Sequence, residues 1–120
     1  IAGGLLTGKY SFATKPPVGT RFGDQEQYRH RYWYPTNFQA VNDIRKIAIE
    51  LGYPMEALAL SWVMNQEARP TPIVGVRNMD QLKAMLHLLT HPISKTITSK
   101  LDMIQGLAYD RFAPWHKHIH

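Results

Sequence analysis

A glycine-rich segment over residues 1–10, IAGGLLTGKY, ends in a lysine and could bind phosphate. Its residues 3–9 fit the pattern G-x-x-x-x-G-K, but Tyr10 stands where a P-loop needs serine or threonine to hold magnesium. No helical pattern follows Lys9, so no helix N-terminus would receive the phosphates there. Two interpretations stay open: a plain glycine turn, or a different loop whose backbone N–H groups and Lys9 ammonium contact a pyrophosphate.

A second candidate site lies over residues 73–82, IVGVRNMDQL, where an apolar run meets a helical pattern. Ligands of parallel α/β folds bind at the carboxyl ends of strands, where helix N-termini favour anions. Gly75 would permit close approach to the backbone, and the Arg77 guanidinium has a fork suited to phosphate. Gln81, one turn into the helix, could reach the same ligand. The alternative is a tight turn with a solvated arginine and an exposed glutamine.

The composition limits the classes of function. Lys plus Arg number 14 against 9 Asp plus Glu among 120 residues, a net charge of +5 that favours anionic partners. The basic residues are scattered along the sequence, which argues against a role in binding nucleic acid. The absence of cysteine excludes a disulfide scaffold, a thiolate zinc site and a cysteine nucleophile. No apolar run reaches the roughly 18 residues of a membrane span, and we expect a cytoplasmic protein without a membrane partner.

Helical periodicity begins only after the first third of the chain. Residues 11–36 combine prolines, glycines and aromatic residues without regular periodicity, which predicts a long loop. Asn37 is then the predicted N-cap of a helix that Gly52 ends. Its predicted inner face comprises Val41, Ile44, Ile47, Ala48 and Leu51. Pro54 begins a second predicted helix, which ends near residues 65–66.

One short strand is predicted between the second and third helices. Residues 71–76, TPIVGV, are too few for a helix and predict a buried strand. Asn78 caps a predicted helix to about Leu89, and Thr98 caps a last one over residues 99–107. The third helix is predicted to bury Leu82, Met85, Leu86 and Leu89. Since one buried strand needs neighbours, and the chain starts at Ile1 without methionine, we expect a piece of a longer α/β protein.

Four segments together resemble the carboxyl-terminal third of the aldo-keto reductases: IAGGLLTGKY, PPVGTRF, LGYPMEALALSWVMNQ and TPIVGVRNMDQL. The similarity extends to about Leu107 and is nearest to the branch with the potassium-channel β-subunit-like enzymes. It implies that residues 1–120 are the carboxyl-terminal segment of one oxidoreductase domain, a (β/α)8 barrel. The implied parts are the strand-7 loop, helices, strand 8, helix 8 and a terminal helix. A whole barrel takes roughly 250 residues, so this chain is not a complete one.

The resemblance also implies that this segment binds NADPH. The implied cofactor contacts are Ile1, Ala2, Gly3, Gly4, Leu5, Lys9, Arg21, Gly75, Arg77, Gln81 and Met85. The first five with Lys9 match the pyrophosphate loop, and Arg21 matches an arginine that folds over the cofactor. Gly75, Arg77 and Gln81 match the segment around the adenosine 2′-phosphate, with Arg77 as the NADP selector. The family usually has Glu and Asn facing the adenine where this chain has Ala84 and Met85, so apolar adenine contacts are expected.

The implied activity is NADPH-dependent reduction of an aldehyde or ketone, with a small carbonyl compound as the partner. The family's catalytic Asp, Tyr, Lys and His precede the segment matched here, so no catalytic role is transferred to any residue of this chain. The alternative is a nucleotide-binding regulatory module similar to channel β-subunits. Nucleic acid is not an expected partner, and the oligomeric state stays open.

Three other groups of residues have weaker chemical interpretations. Residues 28–35, YRHRYWYP, interleave basic and aromatic side chains as single-stranded nucleic-acid sites do, but no sheet supports them. We expect a loop that packs on its own aromatics, with Trp33 or Tyr34 lining a substrate pocket as the alternative. The alternating His116, His118 and His120 could bind a divalent metal only weakly, and no functional metal site is expected. The carboxylates expected to lie on solvated helix surface are Glu50, Glu56 and Glu67.

Overall fold

The computed structural model describes residues 2–111, with side chains described through residue 104, and this part of the chain consists of helices joined by turns and irregular segments. The chain opens with a 3-10 turn over Ala2–Thr7. The helices are α1 Arg21–Asp24, α2 Glu26–Tyr32, α3 Pro35–Leu51, α4 Met55–Met64, α5 Met79–Thr90 and α6 Lys95–Arg111. Helix α3 packs against both α4 and α6, and α4 packs against α5 and the amino-terminal turn. Helix α4 therefore lies between the two segments predicted to bind a ligand.

Helix α3 begins two residues before the predicted N-cap and ends where predicted. Pro35 occupies the first turn, where its fixed φ suits a helix and its missing N–H costs no hydrogen bond. Asn37 therefore lies inside the helix, and its side chain donates to the Tyr32 carbonyl at 2.7 Å. Gly52 ends the helix with φ +72°, a left-handed conformation that glycine adopts without a Cβ penalty.

The starts of the later helices follow local capping chemistry. Pro54 immediately precedes α4, as predicted. The Asn78 side chain accepts the Gln81 backbone N–H at 2.9 Å, which confirms the predicted N-cap of α5. Helix α6 starts earlier than predicted because Ser94, rather than Thr98, accepts the Ile97 backbone N–H at 3.3 Å.

The predicted loop over residues 11–36 is wrong in its second half, which contains α1 and α2. The Thr20 hydroxyl accepts the Gly23 backbone N–H at 3.1 Å and caps α1. Arg29 donates to the carbonyls of Phe22 and Gly23 at 2.7 and 2.9 Å, which satisfies acceptors in the short helix α1. Helices this short are set by caps and single side-chain bonds, so they leave no apolar periodicity in the sequence.

The predicted strand over residues 71–76 does not form within the described residues. Its backbone is irregular, the Ile73 side chain is fully exposed, and Val74 and Val76 are 38% and 39% exposed. A strand needs a hydrogen-bonded neighbour, and residues 2–111 contain no other strand. The apolar pattern of residues 71–76 therefore predicted a segment suited to burial, but residues 2–111 do not supply the strand that would pair with it.

The main core forms around the Phe22 side chain, which is completely buried. Its ring centroid lies 5.0 Å from that of Tyr10 and 5.2 Å from that of Trp33, edge-to-face and tilted packing typical of aromatic clusters. The buried members of this core are Leu5, Tyr10, Phe22, Phe38, Val41, Ile47, Ala48, Met55, Leu58 and Leu101. The core therefore joins the amino-terminal turn to α3, α4 and α6.

A smaller core of Ala57, Met85 and Leu88 joins α4 to α5. The predicted inner face of α5 is wrong in part, because Leu86 and Leu89 are 51% and 58% exposed. The face that packs on α4 starts at Gln81 and continues through Met85 to Leu88, in steps of three and four residues.

Within residues 2–111, no single helix is long and apolar enough to cross a membrane. Helices α3 and α4 meet that condition only as a pair, and they are bent by 95° at their junction.

The same part of the chain contains no group of three His, Cys, Asp or Glu side chains placed to hold a metal ion. His116, His118 and His120 lie outside the described residues.

Candidate functional site

An open cleft of about 1070 Å³ lies between the amino-terminal turn, helices α3 and α4, and the segment before α5. Ten of the eleven residues predicted from the sequence to contact a cofactor line it. They are Ala2, Gly3, Gly4, Leu5, Lys9, Arg21, Gly75, Arg77, Gln81 and Met85. Ile1 lies outside the described residues. The fold thus brings the two candidate segments, far apart in sequence, to one cavity.

The backbone conformation of the amino-terminal turn favours glycine at its first two glycine positions. Gly3 and Gly4 have φ values of +68° and +100°, a backbone conformation that residues with a Cβ rarely adopt. A Cβ on Gly3 would also lie 2.8 Å from the Tyr28 Cδ1 atom. The Thr7 hydroxyl donates to the Gly4 carbonyl at 2.7 Å and closes the turn. The cleft is therefore bordered by backbone without side chains, which a ligand can approach closely.

Lys9 follows Gly8, which lies close to the side chains of Met55 and Arg45. Gly8 has φ +77°, and a Cβ on it would lie 2.5 Å from the Met55 Sδ atom. Its carbonyl accepts a hydrogen bond of 2.5 Å from the Arg45 guanidinium. The Lys9 ammonium is 5.1 Å from the Tyr10 ring centroid and exposed, so it is available to an anion in the cleft.

Arg21 lies at the start of α1 and contributes a second cation to the cleft. Its guanidinium carbon is 5.7 Å from the centroid of the Tyr28 ring, within the range of a cation–π contact. Tyr28 is the same side chain that covers Gly3. One aromatic ring therefore contacts both the amino-terminal turn and the arginine predicted to fold over the cofactor.

The far segment of the cleft is organised by the Gln81 side chain. Its Oε1 atom accepts the Arg77 backbone N–H at 2.9 Å, and its Nε2 atom donates to the Glu56 carboxylate at 3.4 Å. Gln81 thus fixes the backbone that carries the Arg77 guanidinium. The expectation that Glu56 is solvated helix surface is wrong, because its side chain is partly buried and lines the cleft. No local spacing could have indicated this, since the contact joins two helices.

The charge of the cleft lining is positive. Lys9, Arg21 and Arg77 contribute three cations, and Glu56 is the single carboxylate among the described lining residues. Guanidinium and ammonium groups around glycine-rich backbone are donors that bind phosphate oxygens well. The arrangement suits a ligand with more than one phosphate.

Apolar groups form another part of the wall. Met85 is 6% exposed, packs in the smaller core and lines the cleft, while Ala84 is partly buried beside it. Gly75 has no atom within 4 Å of an added Cβ and its φ is not in the left-handed region. No contact among the described residues therefore requires glycine at position 75.

Neither Trp33 nor Tyr34 lines the cleft. The Trp33 ring packs 4.8 Å from Phe38 between centroids, and the Tyr34 hydroxyl donates to the His30 carbonyl. The Arg31 guanidinium lies 5.9 Å from the Tyr32 ring. The predicted loop that packs on its own aromatics is wrong in part, because residues 28–32 belong to helix α2 and Trp33 packs on Tyr10, Phe22 and Phe38 outside the segment. Within the segment, the Tyr28 and Tyr32 rings lie 6.5 Å apart between centroids. The substrate-pocket alternative finds no support in this cleft.

A carboxylate with a lowered pKa lies away from the cleft, on the exposed surface of α2. The His30 ring is 3.1 Å from the Glu26 carboxylate. This hydrogen bond, with the charges of His30 and Arg29, lowers the pKa of Glu26 below its usual 4.5. The pair stabilises a solvated helix and has no place in the cleft chemistry.

Residues 1–105 match the model of the aldo/keto reductase family. The chain belongs to this family. This aldo-keto reductase segment is 34% identical over 88 residues to the aldo-keto reductase of Babesia bovis. It is also 34% identical over 101 residues to aflatoxin B1 aldehyde reductase member 2 of Homo sapiens. An uncharacterized oxidoreductase of Bacillus subtilis is 31% identical over 106 residues.

These matches cover most of the aldo-keto reductase segment but a small share of each relative. They cover 72% of the chain in the first two relatives and 87% in the bacterial one. They cover 31%, 28% and 29% of those relatives. The chain thus spans less than a third of the length of the curated relatives it matches. The resemblance of the glycine-rich and IVGVRNMDQL segments to aldo-keto reductases is confirmed.

Proposed function

We propose that this chain forms the cofactor-binding part of an NADPH-dependent oxidoreductase that reduces aldehydes or ketones. The observation that carries the proposal is the single cleft lined by ten residues predicted to contact the cofactor. Several relatives are named aldehyde reductases, which supports a carbonyl substrate. NADPH would supply the hydride, and the residues of this chain would bind and orient it.

The chemistry of the lining fits the groups that NADPH carries. Lys9 and the backbone of Gly3 and Gly4 would bind the pyrophosphate, with Arg21 closing over it. Arg77 would bind the 2′-phosphate, whose charge suits a guanidinium fork. The volume of the cleft is about 1070 Å³. Ligand pockets reach about 1,000 Å³, so the cleft is as large as the largest of them, which is compatible with a dinucleotide.

The unpaired apolar segment at residues 71–76 fits the barrel that we propose for the complete protein. These residues would form a strand once parallel neighbours from outside this chain pair with them, which would bury Ile73. Ligands of such barrels bind at the carboxyl ends of the strands, and Gly75 and Arg77 lie at that end of this segment. We propose no catalytic residue within residues 1–120.

Titration of the complete protein with NADPH, followed by a turnover assay with 4-nitrobenzaldehyde, tests the proposal. We expect saturable binding and consumption of NADPH only when the aldehyde is present. Absence of NADPH binding would contradict the assignment of the cleft. Tight binding without turnover of any simple carbonyl would favour the alternative, a nucleotide-binding regulatory module.

A further inference from the structure

We propose that Glu56 is a specificity-determining residue whose carboxylate opposes a 2′-phosphate and so limits the preference for NADPH over NADH. This inference rests on the proposed function, because it concerns which nicotinamide cofactor the cleft accepts. It assigns a role to a side chain that the sequence pattern placed on solvated helix surface.

The position of Glu56 is fixed relative to Arg77 by one side-chain amide. The Glu56 Oε1 atom lies 3.4 Å from the Gln81 Nε2 atom, and Gln81 Oε1 lies 2.9 Å from the Arg77 backbone nitrogen. The carboxylate is thus one amide group away from the backbone of the residue proposed to hold the 2′-phosphate. All three residues line the same cleft.

The Glu56 charge is not neutralised where it lies. Within residues 2–104, Glu56 forms no salt bridge, and its hydrogen-bond donor is the uncharged Gln81 amide. Glu56 also lies in the first turn of α4, where the helix N-terminus stabilises negative charge. The side chain is partly buried, so water screens it less than an exposed carboxylate.

A phosphate and a hydroxyl respond to such a carboxylate in opposite ways. A 2′-phosphate beside Arg77 would be repelled by the Glu56 charge, and the repulsion falls with distance and with the effective dielectric constant. A ribose 2′-hydroxyl can instead donate a hydrogen bond to a carboxylate. Acidic residues accept this hydrogen bond in the NAD-binding sites of other folds. Glu56 therefore acts against Arg77 in the choice of cofactor, and removing its charge separates the two contributions.

The test compares dissociation constants for NADPH and NADH in the complete protein and in Glu56→Gln, a substitution that removes the charge and keeps an acceptor. We expect NADPH to bind about 5- to 10-fold more tightly, the range that Coulomb repulsion across a partly screened site supports. NADH should bind equally well or more weakly. Glu50→Gln, on the exposed surface of α3, is the matched control and should leave both constants unchanged.

Glu56→Ala separates charge from positioning. If Glu56 acts by charge, the alanine variant also binds NADPH more tightly than the wild type. If Glu56 only orients Gln81, alanine weakens both cofactors while glutamine changes neither, and the proposal is overturned. A wild-type protein that binds NADPH with a cofactor ratio unmoved by Glu56→Gln contradicts this inference alone. A wild-type protein that binds neither cofactor overturns the proposed function as well.

Discussion

The Arg45 guanidinium on α3 donates a 2.5 Å hydrogen bond to the Gly8 carbonyl, one residue before Lys9. Its other terminal nitrogen donates to the Asn42 side chain at 2.6 Å on the same helix. The guanidinium is thus held by α3 while it holds the end of the amino-terminal turn. The position of the proposed pyrophosphate site is set by a helix that does not itself supply a phosphate-binding residue.

Arg45→Met should weaken NADPH binding several-fold, because the aliphatic stem remains while the bond to the Gly8 carbonyl is lost. The loss of stability should stay near the value of one hydrogen bond, about 0.5–1.5 kcal/mol. Isothermal titration with NADPH and denaturant unfolding measure the two effects. Lys46→Met, on the next residue, is the control for loss of one positive charge from α3. Unchanged NADPH affinity in Arg45→Met would remove the positioning role.

Gly8→Ala should destabilise the protein more than Gly52→Ala. Both glycines have left-handed φ values, +77° and +72°, so each alanine carries a backbone cost of about 1–2 kcal/mol. At Gly52 nothing lies within 4 Å of the new Cβ, whereas at Gly8 the Met55 Sδ atom lies at 2.5 Å. Met55 is 7% exposed and has little room to move. Equal midpoints of unfolding for the two variants in urea would show that the Met55 contact is unimportant.

Gly75→Ala should leave stability unchanged and reduce NADPH affinity. An added Cβ meets no atom within 4 Å, and the φ of Gly75 is accessible to alanine. If the cofactor approaches this backbone closely, the methyl group collides with the ligand and not with the protein. Thermal unfolding and NADPH titration of the same sample separate the two effects. A variant with wild-type affinity would place the cofactor away from Gly75.

The sequence predicted those parts of the fold that depend on neighbouring residues. The Asn78 cap, the Gly52 stop and the start of α4 after Pro54 are local events, and all three predictions are confirmed. Helix α1 and the Ser94 cap are equally local, but they depend on single side-chain hydrogen bonds that many polar sequences could form. Such bonds cannot be distinguished from loop sequence before the backbone is known.

The residues that sequence reasoning missed act through contacts between distant elements. Glu56 contacts Gln81 across two helices, and Arg45 contacts Gly8 across 37 positions in the chain. Residues 71–76 show the converse case, since their apolar pattern requires a partner strand that residues 2–111 do not contain. The predicted cofactor contacts rest on the family resemblance, and those within the described residues line one cleft.

The most direct test of the central claim compares the dissociation constants of NADPH and NADH for the complete protein and its Arg77→Glu variant. The substitution replaces the cation proposed to bind the 2′-phosphate with an anion at the exposed edge of the cleft, where no described packing contact depends on it. We predict that NADPH affinity falls at least tenfold more than NADH affinity, because NADPH carries the 2′-phosphate, and a tenfold difference corresponds to about 1.4 kcal/mol. Equal weakening of both cofactors, or no change in either, would contradict the assignment of this cleft.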